Sequence, residues 1–177
     1  MGKRNKVVQI AILAVILIIG GFAIVPSLLQ SNEVPVVGSS VPNIKLQELN
    51  GDIQSLSDYK GSIMVLNFWG TWCEPCKREM PAMQSAWEKW KDKGVYIVGI
   101  NYGEDALVVS NFIEKMGVEF PMWLDSKKTA AKAFGIRPLP TTFFVQPDGK
   151  VHAIKQGEVT AEELDAYLMQ MIDAASS

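Results

Sequence analysis

Residues 62–76 read SIMVLNFWGTWCEPC, and the fold turns on how this stretch is parsed. Ser62 to Trp69 is a nearly continuous apolar run, the pattern of a central strand buried on both faces. Gly70 interrupts it. From Pro75 onward, Met80, Met83, Trp87 and Trp90 recur three or four residues apart, so Pro75–Lys91 is expected to be a helix. Cys73 and Cys76 therefore sit where a buried strand hands over to the first turn of a helix. Two sulfurs so placed close a small ring with little backbone movement, and the ring reopens when a thiolate attacks. Helix N-terminal amides and the helix dipole favour a thiolate at Cys73. Cys76 lies one turn further in and is more enclosed. Cys73 is read as the nucleophile and Cys76 as the resolving thiol.

The chain has 177 residues and only these two cysteines. A structural disulfide framework would use more of them at wider spacing. A zinc site of four cysteines is not available either. No metal site and no bound cofactor is assigned; the redox group is a reversible Cys73–Cys76 disulfide.

Working outward, 43–49 and 52–56 flank Asn50-Gly51, a strong hairpin signal. Val95–Ile100 is a second apolar strand, and 105–116 is a helix with Val109, Phe112, Ile113 and Met116 on one face. Phe120–Leu124 reads as a short strand, and Ser126–Phe134 as a short helix capped by Ser126. Thr141–Gln146 and Lys150–Lys155 are strands joined through Pro147-Asp148-Gly149. Thr160–Ile172 closes the chain as a helix, with a Thr160/Glu163 capping box and a Val159–Leu164 staple. Strand–helix alternation implies a parallel sheet core, and the closing hairpin adds an antiparallel part.

Cys-x-x-Cys alone is a weak signal, but strand, Cys-x-Pro-Cys and helix together are specific. Asn67 to Cys76, then Gly135-Ile136-Arg137-Pro138-Leu139-Pro140-Thr141-Thr142-Phe143, then Gly157 resemble the thioredoxin superfamily at that family's separations. The resemblance spans Gly38 to Ala174. The N-terminal segment, the leading hairpin, the insert between Val95 and Leu124, and Cys-Glu-Pro-Cys followed by Glu79 are most similar to its membrane-anchored ResA/TlpA branch. The resemblance implies an α/β, thioredoxin-like fold with an N-terminal β-hairpin and a central αβ insert. It implies a cis-proline loop at Leu139-Pro140-Thr141 that faces the cysteines. Together with Trp72, Glu74 and Pro75, these residues are the expected substrate-binding groove. It also implies reduction of disulfides in exported proteins, namely the haem-binding cysteines of apocytochrome c, with electrons from a CcdA-like membrane thiol transporter.

Thioredoxin carries a buried Asp six residues before its first cysteine, where this chain has Asn67. Asn cannot accept a proton. Glu79, on the same helix face as Cys76 and one turn on, is the expected replacement and the third catalytic residue. Glu74 and Glu79 also bear on direction, because negative charge nearby raises thiol pKa values. A less stabilised thiolate disfavours the dithiol and makes the pair a reductant rather than an oxidant.

Val7–Val25 is a 19-residue run with Gln9 as its only clearly polar member. As a helix it would be about 28 Å long, near the thickness of a bilayer core. Lys3, Arg4 and Lys6 precede it, and no charge follows until Glu33. The run is longer than the apolar part of a cleaved signal peptide and lacks a small-x-small site. The expectation is residues 1–30 as cytoplasmic tip and transmembrane signal-anchor, 31–40 as linker, and 41–177 as the thioredoxin-like domain. The positive-inside rule then puts the domain on the extracytoplasmic side of a single-pass membrane protein. The net charge is −2, and setting aside the +3 of Lys3, Arg4 and Lys6 leaves −5 for the remainder. An acidic domain without basic clusters argues against nucleic acid as a partner.

Three other functions are weaker. A peroxiredoxin carries Thr three residues before its reactive cysteine, where this chain has Gly70. A copper chaperone of the Sco type uses Cys-x-x-x-Cys and a distant His; here the spacing is shorter, and His152 is expected at the surface of a hairpin. The same dithiol chemistry on other exported proteins, in spore or envelope assembly, is the nearest alternative.

Overall fold

The structure is a computed structural model that describes residues 8–14, 16 and 34–175. Residues 8–14 are helical with exposed side chains. Most of the run Val7–Val25, expected as a transmembrane signal-anchor, lies outside the described residues. Among the described residues no helix is long and apolar enough to cross a membrane.

Strand β1 (Lys45–Glu48) pairs antiparallel with β2 (Ile53–Ser55), and the turn between them needs Gly51 at φ +98°. The central strand β3 (Ile63–Trp69) is buried at every position. Its side chains alternate between two cores. Ile63, Val65 and Trp69 point into one, and Met64, Leu66 and Phe68 into the other. Hence the nearly continuous apolar run, with Asn67 as its one polar member: both faces of the strand are covered.

Helix α1 (Glu74–Trp90) follows, with Cys76, Met80, Met83, Ala86 and Trp90 buried along one face. Pro81 lies inside α1 without ending it, at the cost of one backbone hydrogen bond. Then come β4 (Val95–Asn101), α2 (Ala106–Met116), β5 (Met122–Leu124) and α3 (Thr129–Ala133). The chain closes with β6 (Thr141–Val145), β7 (Val151–Gln156) and α4 (Ala161–Ala175).

The strands form one seven-stranded sheet in the order β2-β1-β5-β4-β3-β6-β7. β3, β4 and β5 run parallel, while β6, β7 and the leading hairpin pair antiparallel. The insert therefore contributes β5 between β4 and the hairpin. Helix α4 shares the α1 core through Leu164, Leu168 and Met171. Asp165 ties the two helices, accepting from Lys89 Nζ at 2.7 Å and Trp90 Nε1 at 2.8 Å.

The closing helix has the expected capping box: Thr160 N–H donates to Glu163 at 3.0 Å and Glu163 N–H to Thr160 Oγ1 at 3.3 Å. Two local expectations differ. The short helix is Thr129–Ala133, not Ser126–Phe134, and Ser126 is exposed and does not cap it. Asp125 does: its carboxylate accepts from Thr129 Oγ1 and from the backbone N–H groups of Ala130 and Ala131. The carboxylate satisfies two orphan amides at once, which a serine hydroxyl cannot reach from one residue further on. The second difference lies in the linker. Gly38 N–H donates to Val151 O at 2.8 Å, Val151 N–H to Ser39 O at 2.9 Å, and Ser40 bridges to Lys150. The last residues of 31–40 are thus fastened to β7.

A candidate dithiol active site

β3 ends at Trp69, and a tight turn closed by Cys73 N–H to Gly70 O at 3.1 Å delivers the chain to α1. Cys73 is the N-cap of α1 and Pro75 lies in its first turn. The two cysteines are joined as a disulfide, with Cα atoms 5.2 Å apart. Cys73 Sγ accepts from Cys76 N–H at 3.3 Å. A sulfur that caps a helix in the disulfide is where negative charge is best received when the bond opens. Cys73 is 6% exposed and Cys76 fully buried, so an incoming group meets Cys73 first.

The Leu139–Pro140 peptide bond is cis. Thr141 begins β6 directly after it and lies opposite Phe68 of β3. Pro140 therefore enters the sheet beside the end of the strand that carries the cysteine loop. Gly157 N–H donates to Pro140 O at 2.9 Å and fixes the loop from the β7 side. Leu139 is half-buried and touches both cores. Thr141 is 2% exposed, and its hydroxyl donates to Pro138 O at 2.8 Å. Its side chain shapes the loop from inside.

Trp72 is 60% exposed beside Cys73, its ring edge-on to Tyr102 at 6.4 Å. Glu74 is exposed and pairs with Lys77 at 2.5 Å. That hydrogen bond and the lysine charge hold its carboxyl below the usual range. Its charge is matched at the surface by Lys77, whereas Glu79, the other acid, lies inside the core.

Glu79 is 1% exposed. Oε1 accepts from Asn67 Nδ2 at 2.8 Å, and Oε2 from Val159 N–H at 3.1 Å. Burial pushes its carboxyl up to about 7, although the bonds from Asn67 and Val159 pull the other way. Asn67 Nδ2 also donates to Thr142 Oγ1 at 2.9 Å, while its buried Oδ1 has no partner among the described residues. Asn67, at the place of the usual buried acid, thus orients the acid that replaces it. A carboxyl that titrates near 7 exchanges a proton readily with a thiol at neutral pH.

Three features of the site have no local sequence signature. Glu104, after β4, accepts from Thr71 N–H at 2.7 Å, from Thr71 Oγ1 and from Asn101 Nδ2 at 2.8 Å. Tyr102 N–H donates to Trp69 O at 2.8 Å. Lys128 Nζ sits 4.4 Å from the Tyr102 ring centroid. His152 is half-buried on β7 with Nδ1 3.1 Å from Gln146 Nε2. Among the described residues no three His, Cys, Asp or Glu side chains cluster as a metal site.

A mixed sheet, a helix-capping dithiol and a cis-proline loop beside it define a thiol–disulfide oxidoreductase of thioredoxin-like fold. The chain belongs to the AhpC/TSA family, whose model matches residues 37–154, and within it to the ResA thiol–disulfide oxidoreductases. It is 40% identical over 166 residues to the thiol–disulfide oxidoreductase ResA of Bacillus subtilis, covering 94% of this chain and 93% of that one. The ResA protein of Geobacillus kaustophilus is also 40% identical, over 94% of this chain and 95% of its own. Among solved structures, a putative thiol:disulfide interchange protein DsbE from Chlorobium tepidum superposes with a TM-score of 0.71 at 31% identity, over 81% of this chain and 99% of that one. StoA from Bacillus subtilis gives 0.65 at 32% identity, over 73% and 99%.

Proposed function

We propose that this oxidoreductase works as an extracytoplasmic reductant, held at the membrane by residues 1–30, and that it reduces the haem-binding cysteines of apocytochrome c. The observation that carries the direction is Glu79. A carboxylate buried in the α1 core one turn beyond Cys76 disfavours further negative charge on the sulfurs. The dithiol is then the less favoured state and gives its electrons away.

In each turnover the Cys73 thiolate attacks a substrate sulfur, forming a mixed disulfide and releasing the first substrate thiolate. The Cys76 thiol passes its proton to Glu79, and the thiolate attacks Cys73 Sγ. The Cys73–Cys76 disulfide closes and the second substrate thiolate leaves. Two electrons have passed to the substrate. Trp72 and the Leu139-Pro140 edge flank the groove in which the mixed disulfide lies.

The choice of apocytochrome c rests on the resemblance to the ResA/TlpA branch. The basic flank before Val7 and the 19-residue apolar run support the membrane site and the outward-facing domain. A reductant in an oxidising compartment has to be recharged, and a CcdA-like membrane thiol transporter is the proposed donor. The test is a Cys76→Ser variant expressed in cells, which leaves the mixed disulfide at Cys73 unresolved. Recovery of an apocytochrome c on Cys73 supports the reading. Recovery of other exported proteins alone assigns the same chemistry to a different substrate.

A further inference from the structure

The loop that carries Cys73 is fastened from a second loop far away in sequence. Glu104 follows β4, 33 residues beyond Thr71. One carboxylate takes both donors of Thr71, the backbone N–H at 2.7 Å and the hydroxyl. The same carboxylate accepts from Asn101 Nδ2 at 2.8 Å, and Asn101 Oδ1 accepts from Glu104 N–H at 3.0 Å. Asn101 is fully buried at the end of β4, so the anchor is set in the core of the sheet. The loop is held again at its start, where Tyr102 N–H donates to Trp69 O. Thr71 lies inside the Gly70–Cys73 turn, two residues before the sulfur-bearing position.

We infer that Glu104 is a positioning residue that sets how readily the Cys73–Cys76 disulfide closes. In the disulfide the loop is tied to α1 covalently. In the dithiol and the mixed disulfide that tie is gone, and the clamp on Thr71 keeps Cys73 Sγ in front of Cys76. Pre-positioning raises the effective concentration of one sulfur against the other. The clamp therefore favours the closed ring. By reciprocity the closed ring favours the clamp, because coupling between two local equilibria acts equally on both. A more stable disulfide means a stronger reductant. When Cys76 attacks Cys73 Sγ and expels the substrate thiolate, the clamp speeds that step by the same positioning. The inference rests on dithiol chemistry and not on the identity of the substrate.

The test is the equilibrium of the full chain, in mild detergent at pH 7, with the dithiothreitol couple, read by alkylation and mass. No protein substrate enters, so failure of the apocytochrome c reading leaves this result unaffected. Glu104→Gln puts an amide N–H against donors. It should move the equilibrium toward the dithiol by about tenfold, or about 30 mV for a two-electron couple. Thr71→Val keeps the backbone donor and loses the hydroxyl, and should move it the same way by about fivefold. Thr71→Ser keeps both donors and should stay within about twofold of wild type. If Glu104→Gln does not fold, the two Thr71 variants decide the matter between them. A purely structural clamp would lower melting temperatures and leave the equilibrium where it is. That outcome overturns the inference, as does Thr71→Ser behaving like Thr71→Val. A shift in Glu104→Gln with none in Thr71→Val assigns the effect to charge and overturns it too.

Discussion

Glu79 Oε1 accepts a hydrogen bond from Asn67 Nδ2 at 2.8 Å inside the core, joining α1 to β3 behind the cysteine loop. The pair replaces a single buried acid by a neutral amide that orients an acid on the neighbouring helix. An amide can hold either protonation state of its partner. It donates to a carboxylate and, by rotating, can accept from a carboxylic acid. Asn67 carries both kinds of atom, with Nδ2 turned to Glu79 and to Thr142. Two donors, Asn67 Nδ2 and the Val159 N–H, hold the Glu79 carboxyl in place.

The raised carboxyl of Glu79 makes folding stability depend on pH, and the sign is fixed. Its value in the fold is about 7 against an ordinary 4.5, so the folded state holds the proton more tightly than the unfolded chain. The associated stability is fully present below about pH 4.5 and is lost as pH rises through about 7. At about 1.4 kcal/mol per pH unit the loss is on the order of 3 kcal/mol. Glu79→Gln cannot titrate. In the disulfide form, where the cysteines are silent, denaturant melts should show the variant gaining on wild type between pH 5 and pH 8. A gap that is constant across that range would place no titrating carboxyl at this position.

Glu79 and Glu74 should part company when the thiols are titrated. With Glu79→Gln, Cys73 should ionise at lower pH by about one unit, roughly 1.4 kcal/mol. Exchange with a protein disulfide should nevertheless slow, because the proton acceptor is gone. Glu74→Gln should leave both curves in place, since Lys77 already matches that charge at the surface. Alkylation rate against pH for the three proteins reads this directly. Equal shifts in the two variants would mean that simple proximity in sequence governs, not burial.

Gly99 in β4 leaves room for Trp69. A Cβ there would lie 2.9 Å from Trp69 Nε1 and 2.5 Å from Met122 Sδ. The methionine can swing, but Trp69 is fully buried at the end of β3, where the cysteine loop begins. Gly99→Ala should cost about 1–3 kcal/mol by overpacking. A chemical denaturation midpoint equal to that of wild type would show that Trp69 has space to yield.

The proposed topology is tested in cells stripped of their wall. Added protease should remove the domain while leaving cytoplasmic proteins intact. A soluble, processed form starting near Gln30 would replace the anchor by a cleaved leader.

The sequence made the core of this site legible because its signals are local. The nearly continuous apolar run of β3 ends where a 3.6-residue period begins, and that boundary alone places Cys73 at a helix N-terminus. The capping box of α4 is legible for the same reason, since Thr160 and Glu163 are three residues apart. Asp125 was hidden because Ser126 is the residue type expected at a cap, while the chain enters α3 through Lys128 at φ +56°. Glu104 was hidden because its partner is 33 residues away. Their meeting depends on the parallel pairing of β3 and β4, which brings two strand ends together and which no spacing along the chain encodes. The environment of Glu79 was half-visible. Its helix face follows from period, but the Val159 amide lies 80 residues on.

The reducing character proposed for the Cys73–Cys76 pair is read from the equilibrium of the full chain with the glutathione couple at pH 7. The reduction potential should lie nearer that of thioredoxin, roughly −270 mV, than that of DsbA, roughly −120 mV. A value above about −180 mV, the range of protein disulfide isomerase, would contradict it.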